Sequence, residues 1–87
     1  MEQVTWKDEL IRGLKHFGGE AHRLFLFEYI KNTTSKKIPK TFIRTLQKEL
    51  ERLSKDSANY GGGEEIFYSS RGIGEGYWAL TEKYNNG

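Results

Sequence analysis

The stretch FYSSRGIGEGYWAL, residues 67–80, sets two aromatic clusters on either side of a glycine-rich loop. Because glycine has no Cβ atom, it adopts the positive φ angles that tight turns require, whereas aromatic residues favour strands. The glycines of the loop are Gly72, Gly74 and Gly76. This pattern predicts a β-hairpin with strands at residues 66–69 and 77–80 and a loop at residues 70–76. We expect Ile73, within the loop, to fold back onto the core.

Three segments before the hairpin are predicted to be helices. Apolar residues recur every three or four positions at residues 5–17, where Thr5 and Asp8 have the spacing of a helix cap. The second helix is predicted at residues 20–31. The third has Pro39 in its first turn and one apolar face, formed by Ile43, Leu46, Leu50 and Leu53 with Phe42 beside it. Three helices followed by a β-hairpin is the element order of a winged helix-turn-helix, an α+β fold, so residues 1–87 are expected to form a single winged-helix domain.

The composition narrows the classes of function. The chain has 87 residues, a net charge of +2 and no cysteine, so it has neither a disulfide framework nor a thiolate metal site. No apolar run approaches the roughly 20 residues of a membrane span, so we expect a cytoplasmic protein without a membrane partner. His16 and His22 have no further ligand at a metal-like spacing, and no nuclease or Ser–His pattern is present. We therefore expect no enzyme activity, cofactor, metal or small-molecule substrate.

The charges are unevenly distributed. Between residues 31 and 48 there is no acidic residue but six basic ones, namely Lys31, Lys36, Lys37, Lys40, Arg44 and Lys48. The segment that follows, residues 49–65, contains five acidic residues. A block of one sign indicates a polyanionic partner, although a solvated lysine-rich loop is the alternative.

The third helix carries the residues that we expect to bind double-stranded DNA. A spacing of three and four places Thr41, Arg44, Thr45 and Lys48 on one side of it. Arg44 can donate two hydrogen bonds to the edge of a guanine, which is the commonest base-specific contact in the major groove. The residues expected to contact phosphates are Lys36, Lys37, Lys40 and, in the loop, Arg71. An ordinary exposed polar face and a purely structural hairpin remain the alternatives.

Several short motifs follow one another in the second half of the chain. They are Ile-Arg-Thr-Leu-Gln at 43–47, a serine- and aspartate-containing turn at 54–60, Ile-Phe-Tyr-Ser at 66–69, Gly-Ile-Gly-Glu-Gly at 72–76 and an aromatic segment at 77–80. This run resembles the winged-helix domains found beside HNH-type and restriction-type endonuclease domains in bacteria and their phages. The resemblance implies DNA binding in the service of a nuclease or of transcription regulation. The 87 residues contain no nuclease domain, so the chain is either free-standing or the binding part of a longer protein.

A winged helix that binds a protein is the other hypothesis. Phe25 and Tyr29 lie one turn apart on the predicted second helix, on the side away from Leu26 and Ile30. If they are exposed, they form an apolar patch of the kind that marks a protein interface. The partner would be another protein or a second copy of the chain, as for a phage-encoded inhibitor or assembly factor.

Overall fold

The structure, a computed structural model, describes residues 4–85, so the ends of the predicted domain at residues 1–3 and 86–87 lie outside it. Its helices are α1 (Trp6–His16), α2 (Arg23–Thr33), α3 (Phe42–Arg52) and the short α4 (Glu82–Asn85). Its strands are β1 (Glu20–His22), β2 (Phe67–Tyr68) and β3 (Tyr77–Leu80). The strands form an antiparallel sheet in the order β1-β3-β2. The described residues thus form an α+β domain of four helices and a three-stranded sheet.

The start of the second helix was predicted wrongly. Residues 20–22 are strand β1, in which Glu20 pairs with Ala79 of β3, and helix α2 begins only at Arg23. The side chain of His22 accepts a hydrogen bond from the backbone N–H of Leu24 at 3.2 Å and so caps α2. Three residues are too few to show a strand period, and only the pairing with a distant segment makes them a strand.

The hairpin prediction is confirmed for β3, whereas β2 is shorter than the predicted strand at residues 66–69. The prediction that Ile73 folds back onto the core is wrong, because its side chain is 76% exposed. Gly72 and Gly74 on either side of it have φ angles of 101° and 89°. Since only glycine adopts such angles readily, these two residues set the course of the loop, which leaves Ile73 in the solvent.

The apolar face of α3 is rotated relative to the prediction. Its buried residues are Phe42, Leu46 and Leu50, while Ile43 is 49% exposed. The ring of Phe42 packs against Trp6 of α1, with 5.6 Å between the centroids. Successive residues of a helix point about 100° apart. Because Phe42 points into the core, Ile43 lies beside the buried face and is partly exposed. Pro39 precedes α3 and accepts a hydrogen bond from the N–H of Phe42 at 3.1 Å.

A buried carboxylate connects α1 to the end of α2. Glu9 is 3% exposed and accepts hydrogen bonds from Arg12 Nε at 2.7 Å and from the hydroxyl of Thr34 at 2.5 Å. Arg12 also donates to the hydroxyl of Thr33 at 2.9 Å. The charge of Glu9 is therefore compensated, and the network fixes the crossing of the two helices.

Replacing Glu9 by alanine is expected to lower the free energy of unfolding by about 1–3 kcal/mol, because the half-buried Arg12 and Thr34 lose their buried acceptor. Urea denaturation followed by far-UV circular dichroism measures this change. The matched control is Glu28→Ala on the exposed surface of α2, for which we expect a change of less than about 0.5 kcal/mol. Equal losses in the two variants would contradict a special role for the buried carboxylate.

Candidate nucleic-acid interface

A surface groove of about 1020 Å³, here called the α2–α3 groove, lies between these two helices. Its lining comes from α2, from the segment that connects α2 to α3, from α3 and from Asn59 in the loop after α3. The basic residues that line it are Arg23, Lys31, Lys40, Arg44 and Lys48, and the acidic ones are Glu28 and Glu51. The lining of the groove therefore carries a net positive charge.

The predicted DNA-binding residues of α3 divide between two sides of the helix. Thr41, Arg44 and Lys48 line the α2–α3 groove together with Lys40, and both Arg44 and Lys48 are exposed. Thr45 is half-buried and lines a separate depression between α3 and the start of α1, to which Lys48 also belongs. Lys48 thus lies between the two depressions, where it is accessible from both.

Lys36 and Lys37 lie at the edge of this surface. Lys36 lines the depression beside α1, donates a hydrogen bond from Nζ to the carbonyl oxygen of Val4 at 2.6 Å, and places Nζ 5.0 Å from the ring centroid of Trp6. Its charge is therefore engaged within the domain. Lys37 is exposed and is not among the residues that line either depression.

The hairpin loop is joined to this surface by a smaller depression of about 340 Å³. Arg23 and Gln47 line both this depression and the α2–α3 groove, while Gly74 and Gly76 line it from the loop. The backbone N–H of Arg23 donates to the carbonyl oxygen of Gly76 at 2.8 Å, so the start of α2 is bonded to the end of the loop. The surface is thus continuous from α3 to the hairpin loop.

Arg71 of the loop is paired within the chain. Its Nε lies 3.3 Å from a carboxylate oxygen of Glu20, and its guanidinium lies 4.3 Å from the ring centroid of Tyr77. Hydrogen bonds lower the pKa of Glu20, with the larger contribution from Ser70 and the smaller one from Arg71. Exposed ion pairs of this kind are weak and are screened by salt, so a phosphate could replace Glu20 as the partner of Arg71.

The start of α3 differs from the starts of α1 and α2. In α1 the hydroxyl of Thr5 accepts a hydrogen bond from the N–H of Asp8, and α2 is capped by His22. In α3 the side chain of Thr41 makes no capping hydrogen bond, and the first turn contains no acidic residue. The N–H of Phe42 donates to Pro39, and the remaining N–H groups of the first turn, with the positive end of the helix dipole, favour an anion at this position.

The two aromatic residues proposed for a protein interface have different surroundings. Phe25 is 69% exposed. Tyr29 is half-buried: its ring stacks on His16 with 4.0 Å between the centroids, and its hydroxyl accepts a hydrogen bond from Arg12 at 3.3 Å. Phe25 therefore exposes most of its ring, while Tyr29 belongs to the packing between α1 and α2.

Sequence reasoning missed several residues of the surface. Arg23 and Leu24 at the start of α2 and Ile38 before α3 line the groove, although they are distant in sequence from its main residues on α3. Gln47 donates from Nε2 to Glu51 at 2.7 Å, while its Oε1 is buried without a partner in the described part of the chain. The only sequence signal for these positions was the basic character of Arg23.

The described residues outside the groove contain structural ion pairs and hydrogen bonds. Glu49 pairs with Arg52 at 2.9 Å and raises the pKa of Arg52. The hydroxyl of Tyr84 donates to Glu64, which lowers the pKa of Glu64 and raises that of Tyr84. Among residues 4–85 no group of histidine, aspartate or glutamate side chains is arranged to hold a metal ion. None of the helices in this range is long and apolar enough to cross a membrane.

Comparison with known proteins found no match to this chain among family models, curated proteins or solved structures. A proposal on function therefore depends on the geometry and charge of the surface formed by α2, α3 and the hairpin loop.

Proposed function

We propose that this chain is a non-catalytic winged-helix protein that binds double-stranded DNA, with α3 in the major groove and the hairpin loop against the backbone. The observation that carries the proposal is the net-positive α2–α3 groove, which continues past Arg23 and Gln47 to the loop. The chain order supports the winged-helix fold, because α2 and α3 are consecutive and the β2–β3 hairpin follows them. A helix of this length fits the major groove of B-form DNA.

The exposed cations of α3 and its start have distinct roles in this complex. Arg44 lies in the first turn of α3, where recognition helices contact base edges, and it would bind a guanine with two hydrogen bonds. Lys40 and Lys48, together with the backbone N–H groups of Ile43 and Arg44 in the first turn of α3, would hold phosphates. Lys37 and Arg71 would add phosphate contacts at the two ends of the surface. Lys36, which is engaged with Val4 and Trp6, contributes its charge alone.

Titration of a fluorescently labelled duplex at several salt concentrations tests this function. Each neutralised phosphate releases counterions, so four contacts predict a slope of about −3.6 when the logarithm of the association constant is plotted against that of the salt concentration. Fluorescence anisotropy gives the affinity at each concentration. A chain that shows no salt-sensitive binding to duplex DNA would rule out the proposed function.

Binding of a protein by a winged helix is the second candidate, and the observation that favours it is the exposure of Phe25. This ring is 69% exposed on α2 and is not part of the lining of the α2–α3 groove. Its partner would be another protein or a second copy of the chain. Sedimentation velocity of the chain and of Phe25→Ala distinguishes these, because a homodimer that uses this ring would dissociate in the variant.

A further inference from the structure

The α2–α3 groove contains apolar side chains that phosphate binding does not explain. Leu24, Ile38 and Ile43, here called the aliphatic cluster, all line the groove and are 60%, 37% and 49% exposed. Exposed apolar groups gathered in one place mark a contact site. Since the lining of the groove carries a net positive charge as well, an occupant that combines negative charge with an apolar group complements it.

Duplex DNA offers one apolar group in the major groove, the methyl group on C5 of a pyrimidine. Thymine and 5-methylcytosine both carry it, and aliphatic side chains contact it. Ile43 is the member of the aliphatic cluster that lies on α3, and it directly precedes Arg44. A helix that brings Arg44 to a guanine therefore brings Ile43 close to a neighbouring base pair.

We propose that Ile43 recognises the C5-methyl group of a pyrimidine next to the base that Arg44 contacts. This inference depends on the proposed function, because it assigns a further base contact to the same surface. An acidic segment of a protein with apolar side chains would also complement the groove. The N–H groups of Ile43 and Arg44 in the first turn of α3 and the five basic side chains in the groove favour the phosphates of DNA.

Removal of the methyl group alone tests the assignment. The probes are three duplexes of one sequence, in which one strand alternates guanine with thymine and the other alternates adenine with cytosine. In the second duplex uracil replaces thymine, and in the third 5-methylcytosine also replaces cytosine. The native chain should bind the thymine duplex about fourfold more tightly than the uracil duplex, which is the expected effect of burying one methyl group.

Two variants locate the effect. Ile43→Ala should bind the thymine and uracil duplexes equally, and alanine preserves the helix because of its high helix propensity. Phe25→Ala removes an exposed apolar side chain outside the groove and should keep the fourfold ratio. Recovery of affinity in the third duplex would show that a methyl group on the cytosine paired with a guanine also makes the contact, whereas its absence would locate the contact at the thymine next to the guanine.

The outcomes that overturn the inference are separate from the one that overturns the function. Equal binding of the native chain to the thymine and uracil duplexes would overturn the methyl contact and leave DNA binding intact. A fourfold ratio that persists in Ile43→Ala would also overturn it. A native chain that binds none of the duplexes would overturn the proposed function and the methyl contact together, and would favour a protein segment in the groove.

Discussion

Replacing Arg44 and Lys48 together by alanine is expected to weaken binding to duplex DNA more than the replacement of any other two exposed residues. Both side chains are exposed and line the α2–α3 groove. Loss of the proposed two-pronged contact of Arg44 with guanine should cost about 1–3 kcal/mol of binding free energy, which is roughly a 5- to 150-fold loss of affinity. Loss of Lys48 should make the salt slope shallower by about 0.9. Anisotropy titrations at several salt concentrations measure both effects.

The matched control removes the same charge from another surface. Lys15 on α1 and Lys83 on α4 are exposed, and neither lines the α2–α3 groove. The variant Lys15→Ala with Lys83→Ala therefore has the net charge of the first variant but keeps the groove intact, and it should retain nearly the native affinity. Equal weakening by the two variants would mean that total charge, and not the face of α3, determines binding.

Replacing Phe67 by alanine is expected to have the largest effect on stability. Phe67 is fully buried in β2, pairs with Leu80 of β3, and donates its backbone N–H to the carbonyl oxygen of Leu53 at 3.2 Å. Replacement of a buried phenylalanine by alanine leaves a cavity and lowers the free energy of unfolding by about 3–5 kcal/mol. Because small domains have only about 5–15 kcal/mol of stability, a large part of it would be lost. Thermal unfolding followed by circular dichroism measures the change.

The adjacent residue supplies the control for this experiment. Tyr68 lies on the same short strand and is also aromatic, but it is 41% exposed. Since successive side chains of a strand point to opposite faces, Tyr68→Ala shortens an aromatic side chain on the outer face of the sheet. It should cost much less than Phe67→Ala. Similar losses in both variants would show that strand propensity, and not the buried ring, holds the hairpin.

The elements that the sequence predicted well are those with strong local signals. The helix cap formed by Thr5 and Asp8 is present, and strand β3 has the predicted bounds. Strand β1 was missed because its pairing with β3 joins segments far apart in the chain. Ile43 was assigned to the core on its spacing to Leu46 and Leu50. Phe42 has a spacing to the same two residues that fits the helical period equally well. Only the contact of Phe42 with Trp6 decides between the two.

The part of the candidate site that lies on α3 could be predicted from the sequence. The exposed positions of Arg44 and Lys48 follow from the opposite, apolar face of α3. The contributions of Leu24 and Ile38 could not be foreseen, since they reach the groove from α2 and from the connecting segment. The pairing of Arg71 with Glu20 depends on β1, which carries Glu20 to the hairpin loop. Because β1 was not predicted, the pairing of Glu20 with Arg71, a predicted phosphate contact, was not predicted either.

The central position of β3 has a consequence for recognition. It is paired along both edges, and Gly76 at the end of the loop accepts a hydrogen bond from Arg23 at the start of α2. The start of α2, which lines the groove together with α3, is therefore bonded to the loop, and in the proposed complex with DNA this preorganised separation would reduce the loss of conformational entropy on association. Duplexes whose groove width departs from this separation would have to deform, so the protein would select DNA by its shape as well as by its bases.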